Sequence, residues 1–317
     1  MPSLSDPQPP PLTGAARAFS ATYFLGQGVA IGAFWLAMWV LPAIRPSFIL
    51  PGAPAASFLS LVLADAGLLL ITSFAAAWSV LSPGRRTIPL LWLHAGAALY
   101  AGLYAVGLWL FDPRLWLGAG LMLPVLATPL TVAVAASRPP GANTVARALF
   151  KTAIQIAFFW SFFLIVLPAA ILLAERALGV PPWPAWAAQR PAATGLFLVG
   201  GSIGLASAWC MATAGCGTPL PTDPACRLVI AGPYRFVRNP MAIGGLLQGL
   251  AVAVWCSSWT LIAYSLMGAV VWQFGPRIAE ERELEERFGE PYRAYRREVR
   301  CWRPRLRAYI PRGNPTA

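Results

Sequence analysis

The residues best suited to chemistry lie in two polar segments near the end of the chain. The first, Gly232 to Gly245, reads GPYRFVRNPMAIGG and sets an Arg-Asn-Pro step directly before an apolar stretch. The second opens with the adjacent carboxylates Glu280 and Glu281. Carboxylates attract cations, so this pair beside a basic turn could build a binding site for a positively charged cofactor. Such a site requires the almost wholly apolar chain between the two segments to fold back as a hairpin.

The length of that apolar chain predicts such a hairpin. A helix rises about 1.5 Å per residue, so helices over 241–257 and 259–275 would each span about 25 Å, enough for one membrane crossing. An out-and-back path returns the chain to the membrane face that it left. We therefore predict that Glu280 and Glu281 lie close to Arg238, about forty residues earlier. Carboxylates near a membrane interface are costly without a partner, which arginines or a cationic cofactor would supply.

The composition is that of a membrane protein. Of the 317 residues, 57% are hydrophobic and only 11% are charged, and the mean hydropathy of +0.60 excludes an ordinary soluble domain. Apolar stretches of about 20 residues, long enough to cross about 30 Å of hydrocarbon, recur along the chain. They are 20–43, 57–81, 88–111, 115–136, 148–174, 194–213, 241–257 and 259–275. We predict an all-α, polytopic helical membrane protein with about eight transmembrane helices and a C-terminal cytoplasmic helical segment.

Basic residues divide unequally between the two sides of these spans. The inner set is Arg17, Arg85, Arg86, Arg138, Arg147, Lys151, Arg227, Arg235, Arg238 and the charged tail, and the outer set is Arg45, Arg114, Arg176 and Arg190. Because cytoplasmic loops carry the excess of basic residues, we expect both termini and both polar segments to be cytoplasmic. We expect the protein in a bacterial inner membrane.

The charged tail, residues 277–312, is predicted to be helical and to contact lipid. It holds eleven arginines and seven glutamates, and Glu283 lies four residues before Arg287, as in a helical ion pair. Gly289 and Pro291 interrupt it, so we expect two short helices with a kink. Its basic surface favours membrane lipids with anionic headgroups as partners, whereas the interleaved glutamates argue against nucleic acid.

Four parts of the chain follow from these patterns. They are a disordered, proline-rich lead-in at 1–19, transmembrane helices of unassigned role at 20–190, the domain with the polar segments at 194–305 and a tail at 306–317. The residues indicate no oligomeric state.

Ionisable residues inside the first spans need partners. Asp65 and His94 lie within the second and third spans, and we predict that they pair with each other or line a lipid-accessible path. The five cysteines have neither zinc nor disulfide spacing, so no metal site is predicted.

The two polar segments resemble the isoprenylcysteine carboxyl methyltransferase and phospholipid methyltransferase superfamily. The family pattern is Gly-x-Tyr-x-x-x-Arg-(His/Asn)-Pro-x-Tyr-x-Gly, then a helical hairpin, then Glu-Glu-x-x-Leu-x-x-x-Phe-Gly-x-x-Tyr-x-x-Tyr. The chain matches this pattern at Gly232, Tyr234, Arg238, Asn239, Pro240, Gly244, Glu280, Glu281, Leu284, Phe288, Gly289, Tyr292 and Tyr295. The resemblance covers roughly 195–305, about a third of the chain.

The resemblance implies S-adenosyl-L-methionine as the cofactor and methyl transfer to a lipophilic or lipid acceptor by direct displacement. By position it implies cofactor contacts at Leu228, Val229, Tyr234, Asn239, Pro240, Met241, Ala242, Glu280 and Glu281. It assigns catalysis, mostly by positioning, to Arg238, Arg277 and Glu281. Glu281 or Tyr292 would assist an acceptor that must lose a proton.

Three positions depart from the family pattern. Asn239 replaces the frequent histidine, and Ala242 replaces the tyrosine. Pro276, followed by Arg277, replaces the arginine that meets the substrate carboxylate in the isoprenylcysteine enzymes. The acceptor therefore stays open among a phospholipid amine, a prenylated thioether acid, a small thiol and an isoprenoid quinol. The lack of histidine and lysine in the site segments slightly favours an acceptor that brings its own charge.

Two other functions remain open from the residues alone. Membrane sterol reductases share a similar C-terminal hairpin and bind NADPH, but their tail begins with Arg-Asp, where this chain has Glu280 and Glu281. A phosphate-rich cofactor suits arginines better than these glutamates. The other alternative is a non-catalytic membrane protein with the same fold, for which Ala242 is the only hint.

Overall fold

The protein is all-α, as predicted. The computed structural model describes residue 12 and residues 14–137, 144–219 and 225–311. Over these residues it contains ten helices and no strand, and six of the helices are long and apolar enough to cross a membrane. Of the predicted lead-in, residues 1–11 and 13 lie outside the described residues, as do Arg138 and the end of the tail, 312–317.

The first compact unit, Met1–Pro140, holds four membrane helices in its described part. They are α1 (Gly14–Val40), α2 (Ser57–Leu81), α3 (Thr87–Phe111) and α4 (Pro113–Ala136). Their core buries Phe24, Val80, Leu91 and Val132 among many alanines. Small side chains let helices approach closely, and such packing drives helix association where the surrounding lipid is itself apolar.

The polar residues of this unit have other partners than predicted. His94 is fully buried, with its Nδ1 2.9 Å from Thr72 Oγ1 and its Nε2 3.3 Å from Gln27 Oε1. Asp65 instead accepts a hydrogen bond of 3.2 Å from Trp35 Nε1. The predicted pairing of Asp65 with His94 is therefore wrong. In a regular α-helix Asp65 would lie on the same face as Thr72, which is the partner of His94. The π-helical turn that begins at Asp65 rotates the two residues relative to each other.

The second compact unit, Gly141–Ala317, contains the candidate site. Its described helices are α5 (Val145–Leu178), α6 (Gln189–Ala214), α7 (Pro240–Cys256), α8 (Trp259–Phe274), α9 (Pro276–Phe288) and α10 (Glu290–Glu298). A 3-10 turn at Gly232–Arg235 precedes α7. All eight predicted spans thus coincide with helices, and α7 and α8 are the shortest of them.

The predicted hairpin consists of α7 and α8. Its turn is tight because Ser257 adopts a left-handed conformation, with φ of +55°. Ser258 Oγ then accepts a hydrogen bond of 3.0 Å from the Leu261 amide and donates one of 2.7 Å to Glu175 Oε1. The turn is therefore capped and joined to the end of α5, which holds the two hairpin helices in register.

The hairpin is positioned by direct backbone contact between α6 and α7. A Cβ atom added at Gly244 would lie only 2.7 Å from the Gly200 carbonyl oxygen and 3.0 Å from the Gly204 amide nitrogen. Only glycine permits this approach, as in other membrane helix pairs with small residues at the interface. Since α7 begins immediately after the Arg-Asn-Pro step, this contact also places the polar turn.

The charged tail forms the predicted pair of short helices. α9 ends at Phe288, and the chain bends at Gly289, whose φ of +56° favours glycine, before α10 begins. The bend brings Tyr292 and Tyr295 of α10 into a buried cluster with Leu284 of α9 and Leu228, which precedes the polar turn. The tail is therefore packed onto the loop that leads to the polar turn.

Candidate active site

The two polar segments meet, as the hairpin length predicts. Arg238 Nη1 lies 2.7 Å from Glu281 Oε1, although the two residues are 43 positions apart. Arg238 stands just before α7, and Glu281 is in the second turn of α9. Because α7 and α8 cross out and back, this ion pair joins the start of the hairpin to its end.

Glu281 is the centre of a buried cluster of arginines. Its side chain is partnered by Arg238, by Arg277 at 3.0 Å and by Arg296 at 3.8 Å. The residue is only 8% exposed. Three arginines from the polar turn, α9 and α10 thus surround one carboxylate. A buried charge that is paired in this way locks its neighbours in place, and loss of one partner is strongly destabilising.

Glu280 faces a different environment from that of Glu281. Consecutive residues on a helix point about 100° apart, so the two carboxylates diverge. Among the described residues Glu280 forms no ion pair with an arginine. Burial, reinforced by the charges of Glu281 and Glu283, raises the pKa of Glu280 to about 7. It is therefore an acid that gains from a nearby cation.

Tyr234 contributes a buried hydroxyl beside this acid. Its side chain packs with Val229 and Met241, and its hydroxyl oxygen has no hydrogen-bond partner within the described part of the chain. Burial first, and then the charge of Glu280, keep the pKa of Tyr234 well above its usual value. An unsatisfied buried hydroxyl costs about 1–3 kcal/mol, so this group is suited to a ligand that would bond to it.

Residues 189–291 match the family model described as phospholipid methyltransferase. This segment is therefore similar to the phospholipid methyltransferase family. The match begins at the first residue of α6 and ends in α10, so it includes the polar turn, the hairpin and both glutamates. It covers about a third of the chain. Neither a curated protein nor a solved structure matches the chain.

The polar turn of the matched segment is held rigidly from two sides. The Arg238 amide donates to the Arg300 carbonyl at 3.0 Å, and Tyr295 Oη donates to the Tyr234 carbonyl at 2.6 Å. The turn opens at Gly232, whose φ is +51°, and a Cβ atom there would lie 2.7 Å from Cys210 Sγ. Glycine is therefore required at the start of this turn.

The other predicted cofactor residues surround the turn. Val229 and Met241 pack against Tyr234, whereas Leu228 packs on the tyrosine cluster of α10. Asn239 is the residue that precedes α7. Pro240 and Ala242 lie in the first turn of that helix, with Pro240 buried and Ala242 partly buried.

A cavity of about 370 Å³ lies on the Glu281 side of α9. It is lined by Arg277, Ile278, Glu281, Arg282, Glu285 and Arg296. Three guanidinium groups and two carboxylates therefore face this space. Both glutamates already pair with Arg296.

Two residues that contribute to this site were not predicted from the sequence. Arg296 completes the cluster around Glu281, and Cys210 of α6 lies against Gly232. Arg296 is one of many arginines in the tail, and only the bend at Gly289 turns it back toward α9. Cys210 is an ordinary residue of an apolar span, and no spacing rule connects it to the turn.

Proposed function

We propose that this chain is an integral membrane enzyme that transfers a methyl group from S-adenosyl-L-methionine to a lipophilic acceptor by direct displacement. The proposal depends on two groups without partners among the described residues, the Glu280 carboxyl and the Tyr234 hydroxyl, which both lie in the segment that matches the methyltransferase family. The first is an acid without an arginine partner in the described residues, and the second is a buried hydroxyl without a hydrogen bond. The cofactor would supply an electrophilic methyl group on a sulfonium.

The residues around Glu280 fit such a cofactor. Its methionine end carries an ammonium and a sulfonium, and both favour carboxylates and aromatic faces as neighbours. A bound cation would stabilise the ionised form of Glu280, whose pKa of about 7 leaves it partly protonated near neutral pH. The orphaned hydroxyl of Tyr234 would gain a partner. Leu228, Val229, Asn239, Pro240, Met241 and Ala242 would form the wall of this site.

The two glutamates have different roles in this proposal. Glu280 would bind the ammonium, whereas Glu281 is already neutralised by three arginines. Glu281, Arg238 and Arg277 therefore contribute to catalysis by holding the polar turn against α9. Positioning of the reactants and exclusion of water are the main sources of rate in such a site.

The acceptor in this proposal is a lipid with an anionic group. The family model is described as phospholipid methyltransferase, and a phospholipid carries an anionic phosphate. Tyr292 is poorly suited to accept a proton, because burial raises its pKa to about 12. An acceptor amine would therefore have to arrive deprotonated.

The proposed orientation places this site in the cytoplasm, with both termini. It rests on the excess of arginines in the predicted inner loops. The enzymatic domain would be residues 194–305, preceded by transmembrane helices of unassigned role.

Calorimetry on the full chain in detergent tests the proposal. We expect S-adenosyl-L-methionine to bind and NADPH not to bind. Glu280→Gln removes a charged hydrogen bond of about 1.5–3 kcal/mol, so affinity should fall about 10- to 150-fold. Glu286→Gln is the matched control, because Glu286 is exposed on the same helix.

Two results would contradict the proposal. If Glu280→Gln binds S-adenosyl-L-methionine as tightly as the unmodified chain, the site assignment is wrong. If only NADPH binds, the chain is a reductase rather than a methyltransferase.

A further inference from the structure

The last described stretch of the chain, residues 300–311, forms an ordered segment that we call the C-terminal arm. Its first residues lie against the end of α8. Trp302 Nε1 donates a hydrogen bond of 2.7 Å to Gln273 Oε1, and its ring lies edge-on to that of Trp272, with centroids 5.4 Å apart. Both partners belong to the last turn of α8. Since tryptophan concentrates at membrane–water interfaces, the arm starts at the level of the headgroups.

The arm is fastened to the polar turn of the candidate site. The Arg305 amide donates to the Phe236 carbonyl at 2.9 Å, and the Tyr309 amide donates to the Arg235 carbonyl at 2.8 Å. Arg235 Nε returns a hydrogen bond of 3.1 Å to the Tyr309 carbonyl. The ring of Tyr309 is buried against Tyr295. The orientation of the arm is therefore defined.

The arm exposes two large apolar side chains. Leu306 is fully exposed and Ile310 is 70% exposed, although both lie in an ordered segment. Phe236, whose carbonyl holds the arm, is also exposed. Large apolar side chains that stay exposed on an ordered segment favour contact with another apolar phase.

Unpaired arginines flank these apolar side chains. Arg303 and Arg307 are exposed, and neither forms an ion pair within the described ranges. The arginines of α10 differ in this respect. Arg293 and Arg297 are also exposed, but both pair with Glu290. The arm thus presents positive charge that no carboxylate of the described chain balances.

We propose that the C-terminal arm is a docking surface for anionic lipid headgroups. Leu306 and Ile310 enter the boundary between headgroups and acyl chains, and Arg303 and Arg307 bind lipid phosphates. A lipid surface is the partner that matches both features, because the arm starts at the membrane end of α8 and combines exposed apolar groups with free cations. Because its backbone is bonded to residues 235 and 236, lipid binding also stabilises the polar turn against local opening.

Hydrogen–deuterium exchange on the full chain in nanodiscs tests this proposal. The amides of the arm should exchange more slowly in discs that contain phosphatidylglycerol than in discs of phosphatidylcholine alone. Each arginine contributes about 1 kcal/mol, or about fivefold, to binding of anionic lipid. The variant with Arg303→Gln and Arg307→Gln should therefore lose about 25-fold in affinity and show no slowing by phosphatidylglycerol. Exchange in the polar turn, residues 232–239, should change in parallel.

The matched control is the variant with Arg293→Gln and Arg297→Gln, which removes the same charge from α10. It should keep the slowing, because these arginines are already paired. Replacing Leu306 and Ile310 by serine should speed exchange of the arm in both kinds of disc. Equal exchange of the unmodified arm in the two discs would overturn the proposal. So would equal losses in the two arginine variants, since that result would reflect net charge alone.

Discussion

The ion pair between Arg238 and Glu281 should be the main contact that closes the candidate site. Both side chains are nearly buried, at 12% and 10% exposure. Removing one partner of a buried pair costs about 3–5 kcal/mol. Arg238→Gln leaves Glu281 with Arg277 at 3.0 Å, so we expect a smaller loss of about 2 kcal/mol. Glu281→Gln leaves Arg238 and Arg277 without their carboxylate, whereas Arg296 keeps Glu285, and we expect a loss of about 4 kcal/mol.

Amide exchange of α9 in the detergent-solubilised chain measures these losses as local opening free energies. A loss of about 2 kcal/mol corresponds to about 30-fold faster exchange. The double variant should cost about 4 kcal/mol rather than the sum of the two, because the residues share one interaction. Arg293→Gln is the control, since its exposed pairs with Glu285 and Glu290 are worth about 0–1 kcal/mol.

Two outcomes would refute this reasoning. The first is strict additivity of the two substitutions, which would show that Arg238 and Glu281 are not coupled. The second is an effect of Arg238→Gln no larger than that of Arg293→Gln. Either result would mean that the hairpin alone, rather than the ion pair, closes the site.

Three further predictions follow from the site and the hairpin. Affinity for S-adenosyl-L-methionine should fall by up to about tenfold per pH unit below about 7, because protonated Glu280 cannot attract the ammonium; calorimetry should show no such fall in Glu280→Gln. Gly232→Ala should lower the free energy of unfolding, measured by thermal unfolding, by about 2 kcal/mol, because Gly232 has a positive φ and lies against Cys210. Adding Cys210→Ala should restore only part of this stability, because the strain of the positive φ remains. Gly244→Ala should lower the thermal transition, whereas Gly245→Ala, with nothing within 4 Å, should not.

Much of the fold follows from local patterns in the sequence. Long apolar runs predict the membrane helices, because only a helix satisfies its own backbone in lipid. The kink of the tail follows from Gly289 and Pro291, whose backbone preferences do not depend on distant residues. The meeting of Arg238 with Glu281 also follows from the sequence, since two crossings of equal length must end on the face where they began.

Contacts that depend on helix rotation could be found only in the tertiary structure. Glu280 and Glu281 are consecutive on α9, yet Glu280 faces Tyr234 whereas Glu281 faces the arginines. The sequence alone does not distinguish the environments of these two glutamates. The same limit explains the wrong pairing of His94. Apolar runs determine the length of each helix, but the rotation of a helix about its axis depends on packing against residues that are distant in the chain. For this protein the sequence determined which segments meet, and the tertiary structure decided which side chain of each segment faces the other.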